Sequence, residues 1–400
     1  MRILIGWDDP SEAELITLYL NASEENEAVA VTEPAEFLAQ ADSGQVWDVI
    51  LMATDLSDTD RPDIDGAFEI FQQVRQFQPE CPVVSACQTE DVYRIARFIT
   101  HGLRSYVLRD LGGDFVFLLQ STLESIVQAV RAEREQRIAE RMREEIESVR
   151  MFQESILPHE LRAPSGYDIS ACYEPSQIRE WGGQPVILAG GDYYDVIQLD
   201  ERTLVLLVGD ASGHGMRACM SIMTMQILMR MLHSKLYRKT STFVAQVNQQ
   251  FCEQSVSQRD GSLITLLYGV LNVDKHQFQW TSAGHPAPVL HDRSRGTIEP
   301  IALTQFGVPL GVDGNVKYQT HKMTLPPGSR LLLYSDGLVE AFPKGEQSHQ
   351  YGIEGVMKTM ARTGHLSVDA TLQSLLDDSH AFTQDAGRHD DTSAVLLERR

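Results

Sequence analysis

Four short acidic stretches hold the residues best suited to chemistry: Gly190-Gly191-Asp192, Gly209-Asp210-Ala211-Ser212-Gly213-His214-Gly215, Ser335-Asp336-Gly337 and His389-Asp390-Asp391. Each sits where an apolar, strand-like run meets a turn, as in TLVLLVGDASGHG and SRLLLYSDG, so the carboxylates are expected to converge at the ends of neighbouring strands. Converging carboxylates repel one another. Such a cluster is stable chiefly when hard, oxygen-preferring divalent cations, Mg²⁺ or Mn²⁺, neutralise it. A pair of ions about 3.5–4 Å apart is the arrangement that activates water and clamps a phosphoryl group. Any one of these motifs alone reads more simply as a turn; together they point to a two-metal phosphohydrolase.

The order GGDYYD, GDASGHG opening a helix, TSAGHPAP, LLLYSDGLVEA and HDDTSAVLL resembles the bacterial SpoIIE/RsbU-type protein phosphatases, a branch of the metal-dependent protein phosphatase 2C superfamily, over about residues 150–400. GGDYY by itself is also similar to the loop of GGDEF-type cyclases, and His389-Asp390 to the ligand pair of HD-type phosphohydrolases, but neither comes with the rest of its constellation. The resemblance implies an α-β-β-α sandwich and a serine/threonine phosphatase that uses two Mn²⁺ or Mg²⁺ ions. It makes Asp210 the carboxylate bridging both ions, with the Ala211 carbonyl as a further ligand. Asp192 would bind one metal, and Asp336 and Asp390 the other. Asp391, and more weakly Asp195, would support these ligands from outside. His214 either protonates the leaving oxygen or caps the turn before helix 216–232, and His285 is structural. The implied substrate is a phosphorylated anti-sigma factor antagonist in a partner-switching pathway. A non-catalytic adaptor is the competing class, and retention of all four carboxylates argues against it. None of the five cysteines lies in a CxxxxxR loop, which argues against a cysteine-nucleophile phosphatase.

The elements that must position these residues fall into three segments. Residues 1–120 alternate strands (2–6, 28–32, 49–53, 82–86, 105–108) with helices (11–21, 67–77, 90–100), the pattern of a doubly wound parallel sheet with its site at the carboxyl ends of the strands. The segment resembles response-regulator receiver domains. That likeness makes Asp8 and Asp9 an acidic pair for Mg²⁺, Asp55 a phosphoacceptor served by a sensor histidine kinase, Ser85 or Cys87 the hydroxyl position, and Arg109 the substitute for the usual lysine. Ala53 holds the usual acceptor slot and Asp110 the usual proline. The segment is therefore either a phosphorylated receiver or a receiver-shaped docking module whose Asp58, Asp60, Asp63 and Asp65 form a solvated acidic loop.

Residues 121–157 contain neither Gly nor Pro and read as one helix. Ile138, Met142, Glu145, Val149, Phe152 and Ile156 keep a four-three spacing, the seam of a coiled coil that would make a homodimer; the alternative is an amphipathic helix packed on its own domain. Residues 158–400 supply strands at 203–208, 263–271, 279–282, 330–333 and 392–397 and helices at 216–232, 241–256 and 370–383. The stretch IREWGGQPVI lengthens the approach to Gly190, with Trp181 either contacting a partner or packing.

Charge separates the same segments. The chain of 400 residues carries −22, with about −15 in residues 1–120, which lack lysine, and about −5 in residues 166–400. This balance disfavours nucleic-acid binding. No apolar run approaches the roughly 20 residues of a membrane span, and no signal peptide is evident. Five cysteines without paired spacing suit a reducing compartment. The expectation is a soluble, cytoplasmic chain.

Overall fold

In the computed structural model the described residues are 1–57, 64–110, 113–158, 160–178, 186–187, 190–213, 215–232, 236–254, 261–302, 307–343, 345–346, 348–384 and 390–400. His214, Trp181, His389, Asp58, Asp60 and Asp63 lie outside them, as does the side chain of Asp65. The chain divides into two compact units, Met1–Arg141 and Met142–Arg400.

The first unit is built from β1 (Arg2–Gly6), α1 (Pro10–Leu20), β2 (Glu27–Val31), α2 (Pro34–Ala41), β3 (Val49–Ala53), α3 (Ile64–Phe77), β4 (Val83–Gln88), α4 (Val92–Thr100) and β5 (Ser105–Arg109), followed by the helix α5 (Val116–Ile156), which runs on into the second unit. All strand pairs are parallel, in the order β2-β1-β3-β4-β5. Parallel strands need helical crossovers that cover both faces. Accordingly Leu4, Ile50 and Met52 pack with Phe68 and Phe71 on one side, while Ile3, Ile5, Val49 and Leu51 pack with Ile16, Leu119 and Leu123 on the other. α5 begins five residues before the expected start at residue 121, because Val116, Leu119, Leu123 and Val127 form an apolar stripe at helical spacing on that second face. Ile138, Met142 and Phe152 of the expected seam are exposed on the single chain.

The second unit contains β6 (Tyr167–Glu174), β7 (Gln177–Ile178), β8 (Val186–Ile187), β9 (Asp192–Asp200), β10 (Thr203–Ala211), α6 (Met216–Met231), α7 (Thr240–Glu253), β11 (Ile264–Asn272), β12 (Gln277–Ala283), β13 (Val289–Asp292), β14 (Thr297–Pro300), β15 (His321–Thr324), β16 (Arg330–Tyr334), α8 (Gly352–Arg362), α9 (Val368–Phe382) and β17 (Thr392–Arg399). Two five-stranded antiparallel sheets, β15-β12-β11-β10-β9 and β14-β13-β16-β17-β6, make the inner layers. Strand alternation explains the four-layer packing. Leu204, Leu206 and Val208 of β10 meet Leu331, Leu333, Val395 and Leu397 between the sheets. The intervening Val205 and Leu207 face Ile222, Met225 and Phe243 of α6 and α7. On the far side Leu332, Ala394 and Leu396 carry Met360, Leu372 and Leu375 of α8 and α9. No helix among the described residues is long and apolar enough to cross a membrane.

Candidate active site

Antiparallel pairing sets the end of one strand beside the start of the next, and this brings the acidic motifs together. Asp192 opens β9 and is the register partner of Asp210 near the end of β10. Asp336 follows β16 and Asp390 precedes β17, and these two strands pair antiparallel from Tyr334↔Ala394. Asp192 and Asp210 share the parity of Tyr194 and Val208, whose side chains lie between the sheets. One sheet thus contributes Asp192 and Asp210, the other Asp336 and Asp390.

The electrostatics are those of crowded, buried acids. Burial and the Asp210 and Asp391 charges push Asp192, 1 % exposed, well above the usual carboxylate range. Burial, then Asp336, Asp390 and Asp391, push Asp210 up to about 8. Burial is also the main cause of raised values at Asp336 and at Asp390, the latter to about 6. Asp192 and Asp210 face each other across the β9–β10 pair, so the charge of each disfavours ionisation of the other. Asp336 Oδ1 is buried without a hydrogen-bond partner among the described residues, an orphan of the kind expected where a cation belongs. Glu340, one turn beyond Asp336, is raised by burial and by Asp336. Among the described residues no three acidic, histidine or cysteine side chains close into a ligand cluster. Magnesium-like ions fit such a site, because they take carboxylate oxygens and complete their shell with water.

The supporting residues are specific. Asp391, 1 % exposed, accepts from the backbone N–H of Ser176 at 2.7 Å and of Gly191, fixing the loop that presents Asp192. Ser335 Oγ donates to Asp192 Oδ2 at 2.6 Å and accepts from the Ser393 N–H at 2.9 Å. The Ala211 N–H donates to the Gly191 carbonyl at 2.9 Å, and a Cβ on Gly191 would stand 2.9 Å from the Ala211 carbonyl oxygen, so that carbonyl faces the loop. Asp195 is not brought into this group. Three residues from Asp192, it lies on the opposite face of β9, where it accepts from Tyr193 Oη at 2.9 Å and from Arg230 at 2.9 Å.

Gln153 on α5 went unnoticed in the sequence, where an amide in a charged helix looks solvated. It is 1 % exposed; its Nε2 donates to the Gly190 carbonyl at 3.0 Å and the Asp192 carbonyl at 3.3 Å, and its Oε1 accepts from the Gly190 N–H at 2.8 Å. Buried His285 has its pKa lowered to about 4 by burial and is neutral.

In the first unit the acidic cluster is organised around Arg109, whose side chain is 10 % exposed. Its guanidinium donates to both oxygens of Asp8, at 2.8 and 3.1 Å, and to Glu12 at 2.8 Å; it stands 3.9 Å from Asp55 and lies over the Trp7 ring at 5.1 Å. Burial opposes the guanidinium charge, but Asp8 and Glu12 outweigh it and raise the Arg109 pKa. Burial, then Asp8 and Asp91, raise the Asp55 carboxyl. Asp9 does not join them: its Oδ1 caps α1 by accepting from the N–H groups of Ser11 and Glu12. Ser85 is buried and donates to the Met52 carbonyl at 3.2 Å, and burial pushes the Cys87 thiol up to about 11.

Four layers with buried acids at the ends of the facing sheets give the second unit a fold of the PP2C type. The SiaA-PP2C domain of Pseudomonas aeruginosa superposes with a TM-score of 0.51 at 13% identity, over 66% of this chain and 98% of that one. A family profile described as Stage II sporulation protein E (SpoIIE) matches residues 200–400, and the chain belongs to that family. Among individual relatives, the phosphoserine phosphatase RsbU of Bacillus subtilis is 24% identical over 265 residues, 66% of this chain and 72% of RsbU. The phosphoserine phosphatase RsbP of the same organism is 24% identical over 153 residues, 38% of this chain and 36% of RsbP.

Proposed function

We propose that this chain is a metal-dependent protein serine/threonine phosphatase whose output is governed by its N-terminal unit. The observation that carries the reading is the meeting of Asp192, Asp210, Asp336 and Asp390 with pKa values raised by burial and mutual repulsion. Asp192 and Asp210 would hold one ion and Asp210, Asp336 and Asp390 the other, with the Ala211 carbonyl as an additional donor. Two Mg²⁺ or Mn²⁺ ions there would supply an acidified water as nucleophile and neutralise the phosphoryl oxygens. Asp391 and Ser335 keep the ligand loop and Asp192 in place, and His214 is assigned to proton transfer to the leaving oxygen. The relatives named phosphoserine phosphatases favour phosphoserine in a protein as substrate, and the family resemblance favours a small anti-sigma factor antagonist. Hydrolysis of a phosphoserine peptide is expected with Mn²⁺ and not with excess chelator; turnover in chelator would sink the reading.

The first unit is proposed to act by docking and not by accepting phosphate. Arg109 already neutralises the acids that a divalent ion would occupy, and its planar fork cannot contract as an ammonium can. After incubation with acetyl phosphate and Mg²⁺, intact-mass measurement is expected to find no phosphoryl adduct; an adduct lost in Asp55→Asn would restore the phosphorelay reading and, with it, a sensor kinase.

Dimerisation is assigned to α5, where Ile138 and Met142 are 55% and 59% exposed in a helix otherwise rich in charge. Replacing both by glutamate places charge in the apolar seam, and light scattering is expected to fall from the dimer mass to that of one chain. An unchanged mass in folded protein would remove this helix as the contact.

A further inference from the structure

The two halves of the acidic cluster belong to different sheets, so something must set the distance between them. Thr265 on β11 is the register partner of Asp210. Its Oγ1 stands 2.8 Å from His285 Nδ1, and His285 Nε2 stands 3.0 Å from the carbonyl oxygen of Tyr334, two residues before Asp336. A carbonyl has no proton to give, so Nε2 carries the hydrogen and Nδ1 accepts from the threonine hydroxyl. The imidazole therefore spans from the strand beside Asp210 to the strand that delivers Asp336.

The histidine itself is held. Its backbone N–H donates to Ser282 Oγ at 3.1 Å, and the same hydroxyl donates to its carbonyl at 2.9 Å. The ring is 1 % exposed, and it lies in the connection between β12 of one sheet and β13 of the other. Two further ties join the sheets at this end, Ser335 Oγ to Asp192 and the Gly191 N–H to Asp391. The His285 and Ser335 ties end on the segment 334–335, immediately before Asp336.

We propose that His285 is a positioning residue for the metal centre: as a rigid two-ended strut from Thr265 to the Tyr334 carbonyl, it sets the separation of the Asp192–Asp210 pair from Asp336 and Asp390, and so the affinity for divalent ions. The inference rests on the metal-site reading above. Groups outside the ligand set that orient ligands typically control metal affinity by about 10- to 100-fold. Ordinary core packing would need only the shape of the ring; the strut needs a donor at one end and an acceptor at the other.

The test is Mn²⁺ binding by calorimetry on the full chain, beside thermal melts without metal. Asparagine at 285 keeps a polar atom near the Nδ1 position and loses the reach to Tyr334; glutamine reaches Tyr334 and gives up the Thr265 end. His285→Asn and His285→Gln are each expected to weaken Mn²⁺ binding about tenfold or more, with His285→Asn the weaker because it releases the segment that carries Asp336. Should either fail to fold, Thr265→Val keeps the side-chain shape, removes only the hydroxyl donor, and is expected to weaken binding in the same direction. Folded variants that bind Mn²⁺ as wild type does, whatever their melting temperature, would overturn the strut. Asp210→Asn is the control for the site itself. If wild type shows no binding that Asp210→Asn abolishes, the metal reading fails and the strut falls with it.

Discussion

Asp210→Asn and Asp336→Asn are each expected to lower metal-dependent hydrolysis by about a thousandfold or more, because each removes charge from the proposed ligand set, on which activation of water and neutralisation of the phosphoryl group would depend. The same substitutions are expected to raise the melting temperature in the absence of metal. An acid whose folded pKa lies above its unfolded value binds protons more tightly when folded, so the stability it contributes at low pH is lost as pH rises through the folded pKa. Asp210, pushed up to about 8, loses that contribution between about 4 and about 8. An uncharged amide of nearly the same shape escapes this penalty. Lower activity with higher apo stability separates a ligand from a packing residue, which would lose both. Phosphate release from a phosphoserine peptide and calorimetric melts in chelator measure the two quantities. Full activity in either variant would remove that carboxylate from the mechanism.

Gly337→Ala is expected to be nearly as damaging for a different reason. A Cβ at this position would overlap the carbonyl oxygen of Asp391 and stand 3.0 Å from Thr392 Oγ1. The obstacle is backbone, and Asp391 cannot retreat while its carboxylate holds the N–H groups of Ser176 and Gly191. Overpacking of this kind costs about 3 kcal/mol or more when the neighbours are fixed, and relief of the clash would move Asp336 or Asp390. Gly328 provides the control. It has φ 72° but no atom of the described residues within 4 Å of a built Cβ, so Gly328→Ala meets only the left-handed backbone penalty of about 1–2 kcal/mol. Urea unfolding and peptide hydrolysis should rank the two variants clearly. Equal stability and equal activity would show that the β16–β17 corner can open without consequence.

The strands that carry the acidic motifs were legible because they are long, apolar and end abruptly in Gly-Asp or Ser-Asp. TLVLLVGD and RLLLYSD announce both a buried strand and its end. The parallel sheet of the first unit was legible through its regular alternation of apolar runs with helical stretches. What escaped was polar, short or dependent on a partner strand. β9 reads DYYDVIQLD, and its inward face emerges only from pairing with β10. β13, β14 and β15 are four residues each, and α8 carries glycine at two positions. Asp195 reads in the sequence as a weaker support for the ligands alongside Asp391, although its odd separation from Asp192 along β9 sends the two to opposite faces. Gln153 and the ends of the His285 imidazole are invisible without the fold, since their partners are backbone carbonyls far away in sequence.

The guanidinium among Asp8, Glu12 and Asp55 has a consequence for what the first unit can sense. A divalent ion comes and goes with its concentration, and a phosphoryl group with its donor. An arginine is covalently present in every copy and stays protonated throughout the physiological range. The electrostatic signature of this edge is therefore constant in the cell, and any partner that recognises it reads a permanent surface of a strongly acidic unit. On the docking reading, information would then arrive as the partner's own abundance or state. Such recognition weakens as salt shortens the screening length, which is about 8 Å at physiological ionic strength. The unit would serve as an address and not as a meter.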